Sequence, residues 1–87
     1  MQTTFRSEHL LAFGRTLRRV RRERDLSQEA LAATTGLGSK HISEIERGKT
    51  DPRLTTLLQL AYGLDLRVED LFEIFARELA QRSDMQS

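Results

Sequence analysis

The sequence predicts an all-α fold of five helices without a strand. Apolar residues recur at spacings of three and four in five segments of the 87-residue chain, which is the period of a helix with one buried face. Gly36, Gly48, Gly63 and the single proline fall between these segments, where helices end. There is no internal repeat, no low-complexity tract and no linker. We therefore expect one domain over 1–87.

The first predicted helix covers about 8–24, with Ser7 as its N-cap. Arg21 lies at the edge of its apolar face, and the other arginines point to solvent. That face is formed by four residues: Leu10, Phe13, Leu17 and Val20.

The second and third predicted helices, about 28–35 and 39–47, are short and separated by a glycine turn. Ser27 is the expected N-cap of helix 2, and Gly36 the residue that ends it. In helix 3 we expect Ile42 and Ile45 to face inward, because they are three residues apart. Its opposite face is then polar: Lys40, Ser43, Glu44 and Arg47.

The fourth predicted helix covers about 54–62 and is closed by Gly63, with inward residues Leu54, Leu57, Leu58 and Ala61. The fifth starts near Val68, has acidic residues in its first turn and continues to about residue 81. Its stripe consists of Val68, Leu71, Phe72, Phe75 and Leu79. The core should span about 8–72, with a helical extension over 73–82 for dimerisation and a flexible tail over 83–87.

Composition and charge narrow the function classes. The chain has no cysteine and no apolar run as long as a membrane span, so we expect a protein of the reducing cytoplasm that does not enter the membrane. Residues 1–53 carry eleven Lys/Arg and seven Asp/Glu, whereas 54–87 carry three and six. A basic first half suggests one face for a polyanion.

Helix 2, a glycine turn and helix 3 form the order of a helix-turn-helix unit. Small residues in helix 2 let helix 3 lie across it, and the polar face of helix 3 is left to enter a major groove. Five features of the sequence follow one another in a fixed order: LRRVRRERDLSQEALA, Gly36, ISEIERG, Pro52 and LLQLAYGLDL. In these features and their spacing, from about Phe13 to Phe72, the sequence resembles the lambda-repressor-like (Cro/Xre) helix-turn-helix family.

The resemblance implies a compact five-helix DNA-binding domain that works as a dimer on an inverted repeat. It implies base contacts from Ser39, Lys40, Ser43 and Glu44. It implies phosphate contacts from Gln28, Arg47, Lys49 and Arg53, and an internal ion pair between Arg21 and Glu46. The family often has serine or threonine where this chain has Gly38, so we expect only backbone contact there.

Other interpretations of the same residues stay open. Lys40 and Glu44 could instead form an exposed ion pair four residues apart. The run RRVRRERD could bind RNA, although its arginines spread around most of the helix. His41 and Glu44 are too few for a metal site. No nucleophile with a matching base and no phosphate loop is present, so we expect no enzyme activity and no cofactor.

Ile74, Phe75 and Leu79 lie beyond the expected core. They could fold back on Phe5 and Leu11, but we favour a homodimer contact, because two half-sites call for a symmetric pair. The resulting hypothesis is a cytoplasmic transcriptional regulator similar to phage-type repressors and restriction–modification controller proteins. The alternative is an antitoxin, or another module that binds a protein encoded nearby and also represses its own operon.

Overall fold

The computed structural model describes residues 3–86, and the side chains of residues 5–82. Five helices follow one another: α1 Thr3–Glu23, α2 Gln28–Thr35, α3 Ser39–Glu46, α4 Leu54–Gly63 and α5 Val68–Gln86. No strand occurs within 3–86. The all-α, five-helix class expected from the sequence is confirmed.

One apolar core joins all five helices. α1 packs against α3 and α5, α2 packs against α3 and α4, and α4 packs against α5. Fully buried side chains come from every helix, among them Leu17, Leu31, Ile42, Leu60 and Leu71. The inward stripe predicted for α3 is confirmed, because Ile42 and Ile45 are almost inaccessible to water. That of α1 is confirmed at Phe13, Leu17 and Val20, whereas Leu10 is only half-buried.

The start of α1 was predicted wrongly. The helix begins at Thr3, so Ser7 is an exposed residue inside it and caps nothing. No proline or glycine interrupts the first turns, and the Phe5 and His9 rings stack with centroids 3.9 Å apart. This contact between residues four apart supports a longer helix.

The inward face of α4 was also predicted wrongly in part. Leu57 packs on the core and Ala61 is buried, but Leu54 and Leu58 are exposed. Thr56 and Leu60 are buried in their place. The segment contains leucine at so many positions that more than one stripe fits a helical period, and the packing of α2 and α5 decides between them.

Gly63 does not end α4 by a left-handed backbone. The positive φ in this turn belongs to Asp65, at 58°. A Cβ at position 63 would collide with the Thr35 side chain and lie 3.0 Å from Leu31 Cδ1. Glycine is therefore needed here for the close approach of α4 to α2.

The last helix is longer than expected. α5 runs to Gln86 instead of ending near residue 81, so helical backbone covers most of the stretch expected as a flexible tail over 83–87. The side chains of 83–87 lie outside the described residues.

Candidate nucleic-acid interface

The turn between α2 and α3 fixes how the two helices cross. The Ala30 N–H donates to the Ser27 Oγ at 2.9 Å, which caps the start of α2. At its end Gly36 has φ +80°, and the Gly36 N–H donates to the Ala32 carbonyl at 2.9 Å. Glycine adopts this left-handed conformation without the penalty of a Cβ. Both ends of α2 are thus set by residues named from the sequence.

The outer face of α3 is polar and accessible. Ile42 and Ile45 are buried, so the helix cannot rotate without exposing them. Lys40 and Arg47 are exposed, and Ser39, Ser43 and Glu44 are half-buried. Gly38 occupies the N-cap with an extended backbone and no side-chain hydrogen bond.

Lys40 and Glu44 do not pair with each other. Among the residues whose side chains are described, neither belongs to an ion pair. The alternative of an exposed Lys40–Glu44 bridge therefore has no support in this structure. One cation and one carboxylate remain available on the outer face of α3.

Arg21, Glu46 and Gln28 form a hydrogen-bonded cluster that ties α1 to α3 and to the start of α2. Arg21 Nε donates to Glu46 Oε2 at 2.6 Å, and Arg21 Nη2 donates to Glu46 Oε1 at 2.9 Å. Arg21 Nη1 donates to the Leu26 carbonyl at 2.7 Å. Gln28 Nε2 donates to the same Glu46 Oε1 at 3.0 Å.

The burial of this cluster requires that its charged groups be paired. The Arg21 and Glu46 side chains are both buried, and a buried charge is tolerated only when it is paired and hydrogen-bonded. The hydrogen bond to Glu46 raises the pKa of Arg21 above its ordinary value, against the opposing effect of burial. The guanidinium therefore remains charged, and the bidentate geometry fixes α3 relative to α1.

Gln28 is held at the first turn of α2. One N–H of its amide goes to Glu46, which leaves the second N–H and the amide oxygen for another partner. The first N–H groups of a helix have no partner inside the helix and favour an anion. The structure thus places an oriented amide and a helix N-terminus beside the C-terminal turn of α3.

The segment between α3 and α4 carries the three cations that the sequence analysis assigned to phosphate contact. Gly48 has φ +71° and lies so close to Leu11 that a Cβ would be 2.8 Å from Leu11 Cδ2. Arg47, Lys49 and Arg53 are exposed. The close contact between Gly48 and Leu11 of α1 fixes the start of this loop. Arg47 and Lys49, on either side of Gly48, are therefore held next to the end of α3.

The dimer candidates on α5 are only half-exposed. Ile74 and Phe75 pack on the core, and the Phe75 ring meets Phe13 edge to face at 5.5 Å between centroids. Leu79 is half-buried. Part of the apolar area proposed for a partner is thus covered by α1 of the same chain.

Gly14 is an important residue that the sequence reasoning missed. A Cβ at this position would collide with the Glu46 carbonyl and lie 2.6 Å from the Ile45 carbonyl. Glycine thus lets α1 approach the end of α3, where the Arg21–Glu46 pair forms. The available signal was a glycine in the middle of a helical pattern, which costs helix stability and calls for a packing reason.

Neither a metal centre nor a membrane segment is found in the described part. No three side chains of His, Asp or Glu converge there, and His41 is half-buried on α3. None of the described helices is both long and apolar enough to cross a membrane.

Comparison with protein families matches residues 17–71, more than half of the chain, to the model described as "Helix-turn-helix" (HTH_3). The matched range begins in α1 and ends in α5, so it contains α2, α3 and the loop after them.

Curated proteins similar to this chain are likewise described as helix-turn-helix proteins. The chain is 39% identical over 64 residues to the HTH-type transcriptional regulator y4dL of Sinorhizobium fredii, covering 74% of this chain and 31% of that protein. It is 39% identical over 57 residues to HTH-type transcriptional regulator DdrOP3 of Deinococcus deserti, covering 66% of this chain and 44% of that protein. The chain thus spans less than half of the length of each of these two relatives.

Two solved structures are similar over nearly their whole length. The restriction–modification controller protein C.AhdI from Aeromonas hydrophila is 39% identical, with a TM-score of 0.69, covering 71% of this chain and 94% of that one. The controller protein C.Esp1396I, a tetramer in complex with its natural 35-base-pair operator, is 26% identical. Its TM-score is 0.79, over 83% of this chain and 95% of that one.

Proposed function

Because the chain belongs to the helix-turn-helix family of DNA-binding transcriptional regulators, which is not an enzyme family, we propose that it binds an inverted-repeat operator as a homodimer. In this proposal α3 enters the major groove of each half-site, and the start of α2 holds the flanking phosphate backbone.

One observation carries the proposal: the Arg21–Glu46–Gln28 cluster sets the amide of Gln28 and the N-terminus of α2 beside α3. A recognition helix reads bases only when phosphate contacts fix its position on the duplex. Glu46 serves both needs, since it anchors α3 to Arg21 and orients Gln28.

The side chains divide into two roles. Ser39, Lys40, Ser43 and Glu44 are proposed to face base edges, where Lys40 would donate to guanine and Glu44 would accept from the cytosine amino group. Gln28, Arg47, Lys49 and Arg53 are proposed to contact phosphates. Gly38 contributes backbone alone, so specificity depends on the first two turns of α3.

Exposed apolar residues on α4 and α5 support the proposed homodimer and enlarge its proposed contact surface. Leu54 and Leu58 of α4 are 67% and 45% exposed, and Phe72 of α5 is 38% exposed. α4 and α5 pack against each other. We therefore extend the proposed dimer surface from Ile74, Phe75 and Leu79 to these three residues, since apolar surface of this kind marks a contact site.

The similarity to C.AhdI and C.Esp1396I supports a controller-like role for the domain. The operator-bound tetramer of C.Esp1396I is a precedent for four copies of such a protein on one operator. We propose that two dimers of this chain likewise share one operator, with regulation set by the concentration of the dimer.

A salt series with two DNAs tests this proposal. Binding is measured to the DNA upstream of the chain's own gene and to a shuffled duplex of equal length and composition. We expect log affinity to fall linearly with log salt for both, with the upstream DNA bound roughly a thousandfold or more tightly. Equal affinity for the two duplexes at every salt concentration would exclude sequence-specific regulation.

A further inference from the structure

α1 carries a second basic surface that the proposed DNA contacts do not use. We call it the arginine face, and it consists of four exposed residues: Arg15, Arg18, Arg19 and Arg22. They line a groove of about 740 Å³ between α1 and α5, whose other walls are Glu23, Glu78 and Gln81. This is a concave surface with a strong local excess of guanidinium groups.

Most of this charge has no ion-pair partner among the side chains that the structure describes. Arg19 Nη2 lies 3.3 Å from Glu78 Oε1, and the Glu78 side chain is only 12% exposed. Arg15, Arg18 and Arg22 take part in no ion pair among the described side chains. The planar guanidinium group of arginine matches the geometry of a carboxylate or a phosphate. Three guanidinium groups of this surface are therefore available to bind an anion.

The arginine face lies to one side of the α1 surface that meets α3. Gly14 and Arg21 contact the end of α3. In a helix of 3.6 residues per turn, Arg15 and Arg22 lie about 100° around the axis from those two residues, and Arg18 lies about 50° from them. The groove is closed by α5 and not by α3, so it is distinct from the helix-turn-helix surface.

We propose that this groove docks an acidic segment of a partner protein, with carboxylates that pair with Arg15, Arg18 and Arg22. The charge of the groove favours such an occupant, because a guanidinium and a carboxylate form strong, charge-assisted hydrogen bonds.

The unpaired carboxylate of the groove favours the same occupant. Glu78 is neutralised by Arg19, but Glu23 belongs to no ion pair among the described side chains and repels a nucleic acid, which carries one negative charge per about 1.7 Å of axis. A peptide can place its acids opposite the arginines and neutral side chains opposite Glu23 and Glu78. Because Arg15 and Arg22 are seven residues apart, acids about 10 Å apart on a helical peptide match them.

A labelled peptide tests the proposal without any operator. The probe is a fluorescein-labelled 15-residue helical peptide with glutamates at i, i+3 and i+7, and the comparison peptide has the same composition in scrambled order. Fluorescence anisotropy gives the Kd for the wild type, for Arg15→Gln with Arg22→Gln, and for Arg67→Gln with Arg77→Gln. The last variant removes the same charge from exposed arginines of the α5 region.

We expect the patterned peptide to bind about tenfold more weakly to the Arg15/Arg22 variant, the order expected when two exposed charge-assisted contacts are lost. The Arg67/Arg77 variant should change the Kd less than twofold, and saturating non-operator duplex should leave the peptide bound. Circular dichroism melts check that all three proteins are folded.

Three results would overturn the proposal. The first is an equal loss of peptide binding in both double variants, or equal binding of the scrambled peptide. The second is displacement of the peptide by duplex DNA or an RNA hairpin whose own affinity depends on Arg15 and Arg22. The third is self-association that disappears in the Arg15/Arg22 variant alone, since the occupant would then be a second copy of the chain.

Discussion

At the scale of single residues, the Glu46 carboxylate has three donors from two other parts of the chain. Two come from Arg21 and one from Gln28. The same carboxylate therefore serves folding, by neutralising a buried guanidinium, and it also orients the amide at the start of α2 that is proposed to contact DNA. Mutations here should change both properties.

Replacing Glu46 by alanine should destabilise the domain by about 3–5 kcal/mol, because Arg21 would remain buried and charged without its partner. Urea unfolding followed by circular dichroism measures the loss. The matched control is Glu73→Ala, which breaks the exposed Glu73–Arg77 pair and should cost about 0–1 kcal/mol. Similar small losses for both variants would mean that the buried pair contributes little.

Gly14→Ala should destabilise the domain by about 1–3 kcal/mol, the range for an overpacked interior site. The added Cβ would be 2.6 Å from the Ile45 carbonyl, so α1 and α3 must move apart. Gly38→Ser is the control, because a Cβ there meets nothing within 4 Å and serine is at least as good an N-cap. We expect its midpoint in urea to be unchanged or slightly higher.

At the scale of elements, the sequence predicts where a helix begins and ends more reliably than which of its faces is buried. The ends of α2 could be predicted because Ser27 and Gly36 act locally, through one cap bond and one left-handed residue. The face of α4 could not, because leucines at 54, 57, 58, 60 and 64 permit several stripes. The choice depends on where α2 and α5 lie, which is information from distant parts of the chain.

Tertiary contacts also explain what was missed at the candidate site. The hydrogen bond from Gln28 to Glu46 joins residues 18 positions apart, and no local pattern indicates it. The assignment of base and phosphate contacts came from a family resemblance and stays a prediction. The outer face of α3 is where it can be tested.

Two substitutions on α3 should separate base reading from phosphate contact. Lys40→Ala should cost about 1–3 kcal/mol on the preferred operator and relax the preference at one base pair. Arg47→Ala should weaken binding to all sequences alike and reduce the salt slope by about one. Competition binding against a panel of single-base operator variants distinguishes the two. Identical profiles for both variants would contradict the division of roles.

At the scale of the whole molecule, the apolar residues left exposed on α4 and α5 are the strongest indication of a partner. A domain of this size buries a smaller share of its surface than a larger domain does, so a second copy would add stability as well as a second recognition helix. The sequence pointed to α5 alone. The structure adds α4 to this surface because Leu54 and Leu58 turn outward.

Leu58→Glu should shift the protein from dimer to monomer, because it places a charge in the proposed apolar contact. Sedimentation velocity over a concentration series measures the change, and we expect the dimer Kd to rise at least tenfold. Ala33→Glu introduces the same carboxylate at an exposed position of α2 and should leave the Kd within about twofold. Equal effects would place the interface elsewhere.

The central claim, that α3 of a symmetric dimer reads DNA sequence, is tested most directly by selection from a random duplex library. The wild-type protein should enrich an inverted repeat whose half-site centres are about 10–10.5 base pairs apart. The Lys40→Ala variant should enrich a related repeat that is relaxed at the same position in both halves. Enrichment of no motif, or of the same motif by both proteins, would contradict the account.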